Sequence, residues 1–415
     1  MTGVWKLYFL SSHTFIFQEM VTVNEAKQLI IANALLLPAE TRKLSRSTGY
    51  VLAENINAPL SLPSFRQSSM DGYAILHSDI TASQTILKLT GESKAGQTNL
   101  EILQPGTAMR IFTGAPVPDG ATAVIMQEHT RVENGHVLID EFPVPEGKNV
   151  RRVGQQIMAG AVALTAGTYL SPGSIGFLQG LGIQEVSVYR KPKVGLLITG
   201  DELLRPGSEM QAGKIFESNS GMIAAALEQE GLGEVEIRYA ADNLDATIAE
   251  LKLLVEKNDI VLASGGISVG DYDFVGEAMA AVGAETIFYK VRQKPGKPLL
   301  FGKKDKKLFF ALPGNPASSL VCYYEYVLPA IRSMTGRTDI FLKTLQLPVK
   351  YAYSFDGDRD EFLKASIAGD YVIPLDGQES FSIRSFALAD AIIYLPVSQN
   401  KVAAGDLVEV HLLPF

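Results

Sequence analysis

From about residue 190 the chain alternates short apolar runs with helical stretches: "KVGLLITG", "SGMIAAALEQEG", "EVEIRYA", "DATIAELKLLVEKN" and "DIVLASGG" follow one another. Runs this short and this apolar suit strands buried on both faces, so the alternation predicts a mostly parallel sheet with helices on both sides. In such sheets ligands bind outside the carboxyl ends of the strands. The loops placed there are "TGDELLRPG" (199–207), "AADNLD" (240–245), "SGGISVGDYDF" (264–274), "KVRQKPGKP" (290–298) and "LPGNPASS" (312–319).

The rest of the chain reads differently. A length of 415 residues exceeds what one core fills, so several domains are expected. The segment 47–153 has short β-like runs separated by Pro, Gly and Asn-Gly turns, which predicts a β-rich domain. Residues 20–46 and 154–189 form a linking domain: a helix opened by a capping box of Thr22 and Glu25, and later a strand and a helix stopped at Gly182. Residues 190–335 are the three-layer α/β domain, and 336–415 a small β-barrel-like domain. Residues 1–19 read as a dispensable extension, with Met20 as an alternative start.

Composition narrows the chemistry. A formal charge of −8 argues against a general nucleic-acid binder, so any basic site is local. Cys322 lies in the apolar stretch "SSLVCYYEYVL" and reads as a small buried hydrophobe. The histidines lack zinc-site spacing, which leaves oxygen ligands and favours magnesium. No apolar run after the extension reaches the roughly 18 residues a membrane span needs, and a cytoplasmic enzyme is expected.

The strand-end loops carry a consistent set of groups. Gly265 and Gly266 let backbone N–H groups approach an anion, and Asp271 or Asp273 would start the following helix. "LPGNPASS" repeats the pattern, with Asn315 as N-cap and Pro316 at the first helical position. Lys290, Lys294 and Lys297 add local positive charge. Carboxylates in the same place, Glu202, Asp242 and Asp273, make sense where a divalent cation bridges them to phosphates. Each carboxylate alone reads as a helix cap or a solvated side chain; their joint placement is what points to a ligand.

Taken in order, "SSMDGYA", "IFTGAPVPDGATAVIMQE", "TGDEL", "SGGISVGDYDF", "KPGKP" and "LPGNPASS" resemble the molybdopterin molybdenumtransferase family, from about residue 21 to the C-terminus. The resemblance implies an enzyme that cleaves adenylylated molybdopterin, inserts molybdate at the dithiolene and releases AMP with magnesium assisting. It implies a homodimer, with the active site between the α/β domain of one subunit and the β-rich domain of the other. Molybdopterin adenylyltransferase and molybdoenzyme apoproteins would be its partners. Carried over by motif, the catalytic positions are Asp71, Thr113, Glu202, Asp242, Asp273, Lys290, Lys294 and Lys297, with Glu202, Asp242 and Asp273 holding magnesium. The substrate-binding positions are Gly265, Gly266, Ser268, Gly270, Pro313, Asn315, Pro316, Ser318, Lys364 and Ser380. The adenylyltransferase of the preceding step and a non-catalytic scaffold are the alternatives.

Departures from the family pattern stand at Arg66-Gln67, where an Asp-Asn pair is usual, at Gln156, where an acidic residue is usual, and at Glu217-Ser218 for the usual Asp and Thr, which are conservative. Lys364 takes the place of the arginine expected to face molybdate, with Ser380 nearby. Lysine keeps the charge and loses the bidentate fork, which predicts weaker molybdate binding, restored by arginine at 364.

Overall fold

A computed structural model describes residues 20–98, 101–233, 235–267 and 274–414. The chain divides into two compact units: residues 41–48 with 54–186, and the remainder.

In the first unit, strands β1 (Gly72–Ile75), β2 (Thr85–Ser93), β3 (Thr107–Ile111), β4 (Ala123–Met126), β5 (Thr130–Glu133) and β6 (His136–Ile139) form one sheet in the order β4-β1-β3-β2-β6-β5. Only β2 and β3 run parallel among them. The sheet is built around β1, whose four residues are all buried. At Gly72 an added Cβ would fall 1.8 Å from the Ile125 carbonyl oxygen, so glycine is what lets β4 lie this close. The segment read as strand, turn and helix contains a helix over Pro172–Gly180. It is capped by Ser171, which accepts from the Ser174 N–H at 3.2 Å, and ended by Gly182 at φ +79°.

The second unit begins with α1 (Val23–Asn33), whose capping box is formed: Glu25 N–H donates to Thr22 Oγ1 at 3.2 Å, and Thr22 N–H donates to Glu25 Oε2 at 2.8 Å. With the Pro172–Gly180 helix as α2, the helices α3 (Asn219–Gln229), α4 (Leu244–Lys257), α5 (Phe274–Ala281) and α6 (Pro316–Cys322) follow. The strands here are β7 (Val194–Thr199), β8 (Glu236–Ala240), β9 (Ile260–Ser264), β10 (Glu285–Tyr289), β11 (Gln293–Lys294), β12 (Leu300–Lys304) and β13 (Lys307–Leu312). The central sheet has the order β8-β7-β9-β13-β12-β10. Its first four strands are parallel, as the alternation predicts; β12 runs antiparallel to both its neighbours, so β10 at the edge points the same way as the first four.

Side-chain alternation divides this sheet's core in two. Leu196, Ile198, Leu262, Phe310 and Leu312 face a cluster with α1, α3 and α6, whereas Leu197, Val261, Ala263, Phe309 and Ala311 face α4 and α5. Both faces are therefore covered, which is why β7, β9 and β13 are apolar throughout. After α6 the helix widens into a π-helical turn, Tyr323–Val327, and continues as α7 (Leu328–Met334). Pro329 lacks the N–H that an α-helix would give to the Glu325 carbonyl, and its ring crowds that residue, which accounts for the wider turn.

The C-terminal sheet comprises β14 (Thr344–Pro348), β15 (Asp360–Ala368), β16 (Tyr371–Pro374), β17 (Ala391–Leu395) and β18 (Leu407–Leu412), with β11 added along β15. Cys322 is fully buried and free, and burial pushes its thiol well above the usual range. Among the described residues no helix is long and apolar enough to cross a membrane.

Candidate active site

The carboxyl ends of β7, β8, β9 and β13 open onto one cavity of about 630 Å³. Its lining includes Thr199, Gly200 and Glu202 after β7, Asp242 after β8, Ser264, Gly265 and Gly266 after β9, and Pro313, Gly314, Asn315 and Pro316 after β13. The loops expected from strand order thus meet at the place where open α/β sheets hold ligands. The volume suits a ligand larger than a single phosphate.

The turn after β9 is a glycine requirement. Gly265 and Gly266 have φ of +98° and +62°, and a Cβ at 265 would stand 2.5 Å from the Thr199 carbonyl oxygen. Of the rest of that motif, Ser268, Gly270, Asp271 and Asp273 lie outside the described residues.

Two carboxylates are fixed by one another's loops. Asp201 N–H donates to Asp242 Oδ2 at 3.1 Å and Asp242 N–H donates to Asp201 Oδ1 at 3.2 Å, so the β7 and β8 loops are cross-braced. Asp201 is thereby a loop fastener, while Asp242 and Glu202 line the cavity. Glu217, the residue standing for the usual Asp, caps α3: its carboxylate accepts from the Ser220 N–H at 2.7 Å and from the Ser220 hydroxyl.

Sequence reasoning missed the polar floor. Asn219 donates through Nδ2 to Ser264 Oγ and to the Gly314 carbonyl, both at 2.8 Å, tying the ends of β9 and β13 to α3. Its Oδ1 and the Thr199 Oγ1 are buried and have no hydrogen-bond partner among the described residues. Asn219 follows directly on "FES" before a helical run, a position that reads as ordinary capping. Ile215, Phe216 and Phe381 add apolar wall, and no motif marks them.

The helix at β13 differs from expectation. Asn315 stands at the N-cap of α6 and makes no capping bond with its side chain. Its Nδ2 donates instead to Ser380 Oγ at 2.8 Å, and the Ala317 N–H donates to the Ser380 carbonyl at 3.1 Å. This helix end is therefore occupied by the C-terminal domain and is not an open anion cradle. Ser318 is buried within the first turn of α6.

The lysines also part company with the cavity. Lys294 pairs with the buried Glu361 at 2.9 Å, Lys290 places its ammonium 4.7 Å from the Tyr289 ring centroid, and Lys297 is half-buried. Of that loop only Pro298 is among the lining residues. Lys364 is 1% exposed, and its Nζ donates to the carbonyls of Gly377 at 2.7 Å, Glu379 at 3.2 Å and Ser382 at 3.2 Å. Burial lowers its pKa from the usual lysine range, with Glu379 acting the other way. An ammonium has three donors, so the cation expected to face molybdate faces a loop.

In the other unit, Asp71 and Thr113 do meet. Asp71 Oδ1 accepts from the Thr113 N–H and from its hydroxyl, each at 2.7 Å, and these two bonds, aided by Arg110, hold the carboxyl below its ordinary pKa. Arg110 is itself fixed by the Gly72 carbonyl at 3.0 Å and Gln127 Oε1 at 2.7 Å. Arg66, the departure before "SSMDG", donates to the carbonyls of Ala121 and Pro118 at 2.8 and 3.0 Å and so braces a turn. Gln156 is exposed.

Residues 21–182 match the MoeA N-terminal region (domain I and II), 195–333 a probable molybdopterin binding domain, and 346–413 the MoeA C-terminal region (domain IV). A molybdopterin molybdenumtransferase of Haemophilus influenzae is 35% identical over 408 residues, covering 95% of this chain and all of that protein. One from Nostoc is 35% identical over 384 residues, covering 89% and 87%. Among solved structures, a molybdopterin biosynthesis MoeA protein of Pyrococcus horikoshii OT3 aligns with a TM-score of 0.83 at 28% identity, over 95% of this chain and all of that one.

Proposed function

The chain belongs to the MoeA family of molybdopterin molybdenumtransferases, and from that membership we propose that it cleaves adenylylated molybdopterin, inserts molybdate at the dithiolene and releases AMP. The observation that carries this reading to the cavity is its floor, where a buried hydroxyl and a buried amide oxygen at the strand ends have no partner among the described residues. Such groups cost roughly 1–3 kcal/mol each when left unmatched, which a bound polar ligand offsets. Thr199 Oγ1 can donate to a phosphate oxygen, and Asn219 Oδ1 can accept an N–H or O–H of the substrate. Gly265 and Gly266 bring backbone against the same ligand, and the dithiolene supplies the bonds to molybdenum.

Magnesium fits the donor set in a limited sense. Among the described residues no three His, Cys, Asp or Glu side chains form a metal cage. Glu202 and Asp242 both line the cavity, and magnesium commonly takes one or two carboxylates, with water and substrate phosphates completing the shell. In this reading those two, with Asp273, would hold the ion, which supplies charge neutralisation at the pyrophosphate. In the same reading Asp71, whose carboxyl Thr113 holds below its ordinary pKa, would also act in the reaction.

The division into 20–46 with 154–189, 47–153, 190–335 and 336–415, a homodimer and a cytoplasmic location belong to the same proposal. So do the encounters with molybdopterin adenylyltransferase and molybdoenzyme apoproteins. The adenylyltransferase alternative is not favoured, because the matched N- and C-terminal regions lie outside the molybdopterin-binding segment. Purified protein given adenylylated molybdopterin, magnesium and molybdate should release AMP and activate a molybdenum-free apoenzyme; AMP without activation, or neither, overturns the reading.

A further inference from the structure

The loop 377–382 is saturated on its inner side. Its carbonyls consume all three donors of Lys364, Gln378 Nε2 donates to the Lys364 and Leu375 carbonyls at 2.8 and 2.7 Å, and Ser385 Oγ donates to the Gly377 carbonyl at 2.7 Å. Its outer side does the opposite and reaches the site. Ser380 receives both the Asn315 amide and the Ala317 N–H, and Phe381, 68% exposed, lines the cavity. One buried cation therefore sits behind the only described C-terminal-domain side chain in the cavity wall.

We propose that Lys364 is a positioning residue, whose ammonium fixes the 377–382 loop so that Ser380 holds Asn315 and Phe381 closes the cavity over the substrate, and that it binds no anion itself. This rests on the reading of the cavity as the substrate site. Replacing the ammonium with an apolar end takes the donor from the Glu379 carbonyl and leaves the Gly377 and Ser382 carbonyls to share the single Ser385 hydroxyl, so the loop must turn inward carbonyls to water. The Ser380 bridge is then lost with the loop's position. Arginine keeps the charge and the donors, so it is the conservative rescue.

The test combines a structural readout with a kinetic one. In Lys364→Met, hydrogen exchange read by mass spectrometry should quicken about tenfold or more in peptides covering 376–383 and Ala317, while 258–264 stays as in the wild type. KM for adenylylated molybdopterin should rise about five- to twentyfold with kcat within about twofold, and Lys364→Arg should recover both readouts. Ser380→Ala, which leaves Lys364 in place, should raise the same KM severalfold; it keeps the inference testable if Lys364→Met does not fold. Unchanged exchange in Lys364→Met together with a rise only in the molybdate half-saturation overturns the proposal, as does an unchanged KM in Ser380→Ala. If the wild type releases no AMP, the functional reading fails, and the exchange of Lys364→Met still decides the role of Lys364 in the loop.

Discussion

The floor of the cavity and the charged interior beside it follow opposite rules. On the floor, Thr199 Oγ1 and Asn219 Oδ1 are buried without partners among the described residues. Around the C-terminal sheet the buried charges are matched: Lys364 by three carbonyls, and Glu325 by Lys27 at 2.6 Å and His411 at 2.7 Å. The second ring nitrogen of His411 meets Glu409 at 2.8 Å. A matched charge ties elements together, here α1, the π-helical turn and β18. An unmatched polar atom is tolerated where a ligand completes it. Two of the buried side-chain atoms without a partner among the described residues thus lie on this cavity's floor, whereas the lysines expected there are engaged elsewhere.

The matched cluster offers the largest effect. Glu325→Ala removes the buried carboxylate between half-buried Lys27 and buried His411, and should destabilise the protein by about 3–5 kcal/mol, measured by denaturant unfolding. A loss below about 1 kcal/mol would mean that the cluster is not what joins these elements. The pH dependence is the next smaller effect. Burial opposes the charge of His411, but Glu325 and Glu409 more than offset it and raise its pKa to about 9. Burial likewise opposes the charge on Glu325, and Lys27 and His411 bring it down to about 2. A raised histidine contributes stability that is fully present below its ordinary 6.5 and is lost as pH rises through about 9. The Glu325 contribution is present above its ordinary 4.5 and is lost only as pH falls toward about 2. The wild-type melting temperature should thus fall more steeply between about pH 7 and 10 than that of His411→Gln, and parallel curves would remove His411 from the account.

The same contrast explains what the sequence could and could not disclose. The α/β layer, the Thr22–Glu25 capping box and the convergence of the strand-end loops follow from periodicity and turn chemistry, which are local and survive in a one-dimensional reading. One reversed strand, β12, interrupts the parallel order between β13 and the edge strand β10 because it joins β13 through a hairpin at Asp305, a pairing that apolar runs do not encode. Lys364 was expected to face molybdate only because the family pattern has an arginine there, and Lys294 resembled an anion ligand because a lysine after a turn looks the same whether it meets a phosphate or Glu361. Which partner it meets depends on β11 and β15 coming together across the chain. Thr199 and Asn219 were passed over for the complementary reason: being uncharged, they announce themselves only once burial and partners are known.

The smallest expected effect separates the two rules most cleanly. Valine is close to threonine in shape, so Thr199→Val replaces a buried hydroxyl that has no partner among the described residues with a methyl group of similar size. Stability should stay within about 0.5 kcal/mol of the wild type or rise slightly, because no hydrogen bond among the described residues is broken and a polar group leaves the interior. Binding should move the other way: the hydroxyl's bond to a charged phosphate oxygen is worth about 1.5 kcal/mol, so KM for adenylylated molybdopterin should rise about tenfold, with Thr199→Ser restoring it. A destabilised Thr199→Val with normal KM would show that the hydroxyl serves the fold, and would erase the distinction between the unmatched floor and the matched interior.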